Sequence, residues 1–373
     1  MRPDPSADRL ASLDQFRGAT VLAMFAVNFV GGLANVPSGL KHHHTYCSFA
    51  DTVMPAFLFA VGFGFRLSYV RRREKEGTRA AVRHAVGRNL GLVVLGVVLY
   101  HLTGRYGRWA ELTAAAADPG WLLLNAVKRG PFETLTHIGV ASLWVLPVIG
   151  AAGWVRLLWA AASAGLHVWA SHAGYYAWNM TPPVGIDGGP LGFLTWTVPL
   201  VLGTLAHDGV RGKGWGVAHL LAVAAAAMAA GFALSLPNKF TPPNDPGHAL
   251  SWADALDGAP FTGPAASAAN YWTMSQRAGS VSYTLFAAGT AAAAFAGFVW
   301  LADRRGLRWT YLDLLGRHAL AGYIVHAMVA DAVKPFVPRD APGGYVLAAG
   351  LVYLGLVTLI LRHLDRHRLV LRL

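Results

Sequence analysis

Apolar residues run along this chain in long blocks, divided by short polar connections, and the blocks do not alternate polar and apolar positions. Strands are therefore excluded and helices expected. A membrane-crossing helix needs about 20 mainly apolar residues. Ten blocks approach that length, at about 18–36, 52–70, 88–104, 134–151, 153–172, 191–207, 215–236, 281–302, 312–333 and 344–362. An eleventh is a candidate inside the long connection 237–280. Pro55, Pro147 and Pro199 fall within blocks, which membrane helices tolerate where neighbours re-satisfy the backbone. The Ala-rich stretches 224–230 and 290–295 suit close helix packing. The expectation is an all-α, polytopic transmembrane helical bundle of about 10–11 spans, one domain over 1–373 with 237–280 as a long outward-facing connection.

Composition sharpens this picture. Charged residues make up 13% and hydrophobic residues 54%, with mean hydropathy +0.40, where soluble domains carry about 25% charged residues. The single cysteine, Cys47, excludes an intramolecular disulfide and a Cys-cluster metal site. The net charge of +12 does not imply nucleic acid. Most of the 31 Lys and Arg residues fall in short connections that share one side when ten spans are assumed, among them Arg71–Arg73, Arg304, Arg305 and Arg366. The positive-inside rule then places both termini in the cytoplasm, in an integral membrane protein expected in a bacterial inner membrane. Arg9 and Arg17 before the first apolar block resemble a secretory leader, but the block nearly spans and is read as retained.

Candidate chemistry concentrates in residues 28–55, between the first two blocks. Asn28, His42, His43, His44, Ser48 and Asp51 are gathered in one membrane-edge connection. Ionisable groups at membrane depth are functional candidates, and histidine exchanges protons near neutrality. A solvated histidine cluster is the plain alternative, and zinc another, although adjacent histidines seldom converge on one ion. Asp51 suits a helix N-terminus by its charge alone, or orients a histidine. Asp14 and Arg17 stand three apart and can simply pair, or Arg17 can meet an anion. His326 with Tyr323, and His137 with Glu133, sit near block ends at helical spacing, as cavity lining or as interhelical bonds. Tryptophans of the outward connections are interfacial anchors or sugar-stacking surfaces. No P-loop or dinucleotide fingerprint is present.

The order of short motifs resembles the heparan-α-glucosaminide N-acetyltransferase family of transmembrane acyltransferases and its bacterial members. The motifs are RLASLDQFRG (Arg9–Gly18), VNFVGG (Val27–Gly32), HHHTYCSFADTVMPAFLFAVGF (His42–Phe63), RGPFETLTHIGVASL (Arg129–Leu143), GGPLGFLTWTVPLVLGTLA (Gly188–Ala206), NYWTMS (Asn270–Ser275) and LGRHALAGYIVH (Leu315–His326). None is specific alone; their shared order is. His44 and Tyr46 stand where the family has Trp and Gly, His137 replaces an Arg, His318 replaces an Asn, and 239–269 looks inserted.

The resemblance implies acetyl transfer from cytoplasmic acetyl-CoA to an amino sugar or hydroxyl of a glycan at the outer face. A histidine would serve as base or acyl carrier: His42, or else His43 or His44, with Asn28 positioning the thioester carbonyl and Asp51 assisting. Arg17, Asp14, Arg71, Arg72, Arg73 and Arg88 are the candidates for holding the donor, since arginine binds phosphate bidentately. Trp272, His326 and Ser48 are the candidates for the acceptor. No metal is expected. The expected partners are membrane lipids, acetyl-CoA and a glycan or amino-sugar acceptor, not nucleic acid, and a homodimer is compatible. A transporter or channel for a small polar or glycan-derived solute is the alternative. It should show internal repeats, and no convincing one is visible. A relative that binds without catalysing is the third reading.

Overall fold

The computed structural model describes residues 10–100, 106–238, 256–263 and 269–371. Arg9, the end of the 88–104 block and most of the 239–269 insertion lie outside the described residues, as does much of the candidate eleventh span. Among the described residues all regular structure is helical, with no strand. The helices are α1 (Ala11–Val30), α2 (Val53–Glu76), α3 (Thr78–Tyr100), α4 (Trp109–Ala116), α5 (Pro119–Lys128), α6 (Thr134–Val145) and α7 (Gly153–Ala170). They continue as α8 (Tyr176–Met180), α9 (Phe193–Gly212), α10 (Val217–Ser235), α11 (Val281–Phe298), α12 (Thr310–Arg317), α13 (Ala319–Val333) and α14 (Gly343–Arg366).

Six of them, taken with the short turns that extend them, are long and apolar enough to cross a membrane: α2, α3, α9, α10, α11 and α14. Three of the other four blocks differ for visible reasons. The 312–333 block is cut at His318 (φ −107°, ψ 27°), leaving α12 and α13 shorter than a span. The apolar helix over Thr134–Val148 is also short. α1 is 20 residues long but starts seven residues before its apolar block, so its first turns carry Asp14 and Arg17. It ends before Gly31, Gly32 and Pro37. The chain is an integral membrane protein built as a polytopic helical bundle.

Small residues set the closest approaches. A Cβ at Gly62 of α2 would strike the backbone carbonyl of Leu200 in α9, and one at Gly203 of α9 would strike that of Phe59 in α2. The two helices therefore cross backbone to backbone, as small residues allow in bundles. The Ala-rich stretches do the same between α10 and α11, with Gly231 against Phe286 and Gly289 against Ala224 and Met228. Phe16, Phe59 and Phe295 fill the space between with ring centroids 5.6–5.9 Å apart.

Two cations are packed inside. Arg156 is fully buried and pairs with Asp208, which also accepts from Arg66 Nε at 2.9 Å and contacts His207 Nδ1 at 2.9 Å. Lys128 is 1% exposed, bonds the Thr181 carbonyl and lies 4.9 Å over the Trp178 ring. A buried charge needs compensation: Arg156 has the Asp208 carboxylate, and Lys128 has the Thr181 oxygens and the Trp178 ring.

Candidate active site

The irregular connection between α1 and α2 is fixed from both ends. Ala34 N–H donates to Arg339 O at 2.6 Å, Asn35 Nδ2 donates to Asp340 O at 2.8 Å, and Lys41 Nζ reaches back to Ala34 O at 3.0 Å. Lys334 Nζ donates to Asn28 O at 2.8 Å. At its other end Asp51 is 1% exposed in the turn that opens α2. Its Oδ1 lies 2.9 Å from His42 Nδ1, and its Oδ2 accepts the Ser48 N–H at 2.9 Å and a longer bond from His43 N–H. Ser48 Oγ sits between Asp51 Oδ2 (2.9 Å) and Lys41 O (2.8 Å), and Tyr283 O–H donates to the Asp51 carbonyl at 2.5 Å. With Nδ1–H turned to the carboxylate, His42 presents Nε2 as an acceptor, the orientation a general base requires.

His42 and His44 line a cavity of about 430 Å³ together with Asn28, Glu133, Asp187 and His326. Arg129, Gln276 and Arg277 complete its polar wall. Asn28 Nδ2 and His326 Nε2 are 3.1 Å apart, and His326 Nδ1 is 3.3 Å from Gly322 O. Nδ1–H donation to that carbonyl makes Nε2 the acceptor, so Asn28 donates to it and keeps a second N–H. Asp187 takes Gln276 Nε2 on Oδ1 at 2.9 Å. His43 is turned away: its Nε2 meets Ser38 O at 2.9 Å and its ring packs on Tyr46, 4.4 Å between centroids.

The electrostatics separate the histidines. Burial disfavours charge on His42, but the hydrogen bond and charge of Asp51, with Asp187 and Gln276 adding, lift its pKa above the ordinary imidazole value. Burial first, and the Arg277 charge second, push His44 down to about 4, so it stays neutral. Its Nδ1 is buried without a partner. Burial, reinforced by the Asp187 charge, raises Glu133, and burial raises Asp187 as well. Two such carboxylates beside one cavity resist ionising together.

A second cavity of about 490 Å³ lies further along the same helices. Arg17, Arg72, Arg88 and Arg317 line it, with Asp14 and His84. Each of Arg17, Arg72 and Arg317 has an acidic neighbour: Asp14 at 3.5 Å, Glu76 at 2.8 Å and Asp365 at 3.1 Å. Arg17 and Asn28 are separated by eleven residues of α1, about 16 Å of helix. The two cavities share Phe57 of α2, Thr134 of α6 and Tyr323 of α13 as lining.

The sequence candidates therefore sort by place. Asn28, His42, His44 and His326 share the first cavity, with Asp51 behind His42. Asp14, Arg17, Arg72 and Arg88 share the second, and Arg71 and Arg73 lie outside its wall. Ser48 is 1% exposed and braces Asp51, and Trp272 packs on Tyr271 with centroids 5.2 Å apart; neither lines either of these two cavities. His137 is buried against Phe132 and Trp196, and His318 bonds Asp365 at 3.0 Å. Asp187, Gln276 and Arg277 escaped sequence reasoning. The one local signal was the Asp187-Gly188-Gly189 turn, where all three residues have positive φ. Among the described residues no group of three His, Cys, Asp or Glu side chains is placed to hold a metal ion.

No curated protein matches the chain. A family model described as heparan-alpha-glucosaminide N-acetyltransferase, catalytic, matches residues 9–194. That stretch contains Asn28, His42, Asp51, Glu133 and Asp187, and thus most of the polar wall of the first cavity. On this match, and on its bundle of apolar helices, the chain belongs to the heparan-alpha-glucosaminide N-acetyltransferase family of membrane acetyltransferases.

Proposed function

We propose that the protein transfers an acetyl group from acetyl-CoA, entering the arginine-lined cavity from the cytoplasm, to an amine or hydroxyl of a sugar bound in the histidine-lined cavity. The observation that carries this reading is the stacking of the two cavities along α1, α2 and α13, with His42 and Asp51 at the far one. Arginines suit the phosphates of the donor. The polar groups around His42 suit a hydroxylated acceptor. Transfer to such an acceptor needs a base, a nucleophile and a stabilised oxyanion.

In this reading His42 Nε2 removes a proton from the acceptor as its nitrogen or oxygen attacks the thioester carbonyl. The new C–N or C–O bond forms and the carbonyl π pair moves to oxygen. Asn28 donates its second N–H there. Collapse breaks the C–S bond, and the thiolate takes the proton from His42. Asp51 holds the imidazole and supports its charge. His44, neutral, offers a polar contact to the acceptor, and Glu133 with Asp187 favours an acceptor that arrives as an ammonium ion. An ammonium must first lose one proton, and this pair is placed to receive it.

The test is acetyl transfer by purified protein with labelled acetyl-CoA and a panel of amino sugars, comparing wild type, His42→Ala and His43→Ala. The reading expects His42→Ala to lose about 100-fold or more in kcat, the usual scale of general base catalysis, with His43→Ala close to wild type. Equal activity of wild type and His42→Ala would remove it. Saturable solute uptake into liposomes without acetyl-CoA would support a transporter instead.

A further inference from the structure

Resting on that acetyltransferase reading, we infer that Tyr323 is a second hydrogen-bond donor to the thioester carbonyl, beside Asn28, and that Tyr100 positions it. A donor in one cavity and an acceptor in the other must meet where the cavities meet. The lining common to both consists of Phe57, Thr134 and Tyr323. Phe57 has no donor, and the Thr134 hydroxyl is taken up by Met54 Sδ at 3.7 Å and by the Tyr323 hydroxyl itself. The Tyr323 hydroxyl meets that of Tyr100, which closes the histidine-end cavity from α3. With Tyr100 donating into this pair, the Tyr323 proton is directed to the carbonyl.

The placement is fixed by the same bonds that hold Asn28. His326 lies three residues after Tyr323 on α13, on the same face. Its ring contacts the Tyr323 ring edge-on, 5.5 Å between centroids, and its Nε2 takes the Asn28 N–H. Phe25 stacks on the same imidazole at 5.5 Å. Asn28 and Tyr323 are thus tied to one rigid imidazole from two different helices. A tetrahedral oxyanion is stabilised best by two preorganised donors whose positions cost no rearrangement, and Asn28 alone supplies one. In the step above, the carbonyl π pair arrives on an oxygen held by Asn28 Nδ2 and Tyr323 Oη. It returns to carbon as the C–S bond breaks, and neither donor changes protonation.

Tyr323→Phe and Tyr100→Phe break the same hydroxyl pair from opposite sides, and only the first removes the inferred donor. Steady-state transfer should show Tyr323→Phe about 100-fold lower in kcat, the scale of losing one oxyanion donor, with KM for acetyl-CoA within a few-fold. Tyr100→Phe should stay within about 10-fold of wild type. Infrared spectra of carbonyl-labelled acetyl-CoA bound without acceptor should show the thioester stretch lowered in wild type and Tyr100→Phe, and restored toward its free position in Tyr323→Phe. Equal losses in both variants, an unchanged kcat in Tyr323→Phe, or an unmoved stretch would overturn the inference while leaving wild-type transfer intact. Absence of transfer by wild type would instead remove the acetyltransferase reading itself.

Discussion

At the scale of single residues, the site is a competition between burial and a carboxylate. Burial favours neutral imidazole in both His42 and His44, but only His42 has Asp51 at 2.9 Å to reverse it. In the proposed mechanism His42 must be neutral to act as the base, so activity should fall as pH drops through its raised pKa. Asp51→Asn removes the charge that raises it. The acid limb of kcat/KM should therefore move to lower pH, while the maximal rate drops because the imidazole is no longer held. Asp187→Asn should move the limb in the same direction by less, its charge acting on His42 without a hydrogen bond. A pH–rate profile of the three proteins checks both signs; a limb that moved upward in Asp51→Asn would contradict the assignment. Asn28, His42 and Asp51 were legible in the sequence because polar groups wedged between apolar runs stand out. Asp187, Gln276 and Arg277 were not, because each sits in an ordinary-looking loop and reaches the cavity through tertiary contacts across more than 130 residues of chain.

At the scale of helices, the bundle depends on missing side chains. Gly62 and Gly203 let α2 and α9 touch backbone to backbone; the turn that opens α2 carries Asp51, and the far end of α2 carries Arg72. Gly62→Val should cost about 1–3 kcal/mol, the range for forcing atoms into a packed core. It should also lower the unfolding midpoint in detergent and weaken both cavities at once. Asp208→Asn should cost more, about 3–5 kcal/mol, because it strands the buried Arg156 and its neighbour Arg66. Thermal melts would show this; a variant as stable as wild type would mean that the arginines find other partners. The helical class, the blocks and the Ala-rich contacts were readable from hydropathy. The start of α1 and the break at His318 were not, because charged residues inside a helix and a single non-helical residue leave the apolar pattern almost unchanged.

At the scale of the molecule, the two cavities meet end to end at Phe57, Thr134 and Tyr323. On the proposed reading, such an arrangement would let donor and acceptor remain in different compartments while their reacting atoms touch. Arg17→Gln with Arg88→Gln should raise KM for acetyl-CoA by about 10-fold or more, since a hydrogen bond to a charged group contributes about 1.5–3 kcal/mol. Little change in kcat is expected; a kcat loss at unchanged KM would place these arginines elsewhere in the reaction.

The most direct measurement is transfer across a sealed membrane. Protein would be reconstituted into vesicles of one orientation, with an amino sugar trapped inside and labelled acetyl-CoA supplied outside, then the reverse. The account predicts N-acetylated sugar only when acetyl-CoA faces the arginine-lined end and the sugar faces the histidine-lined end. Product formed only when both substrates share one side would contradict it.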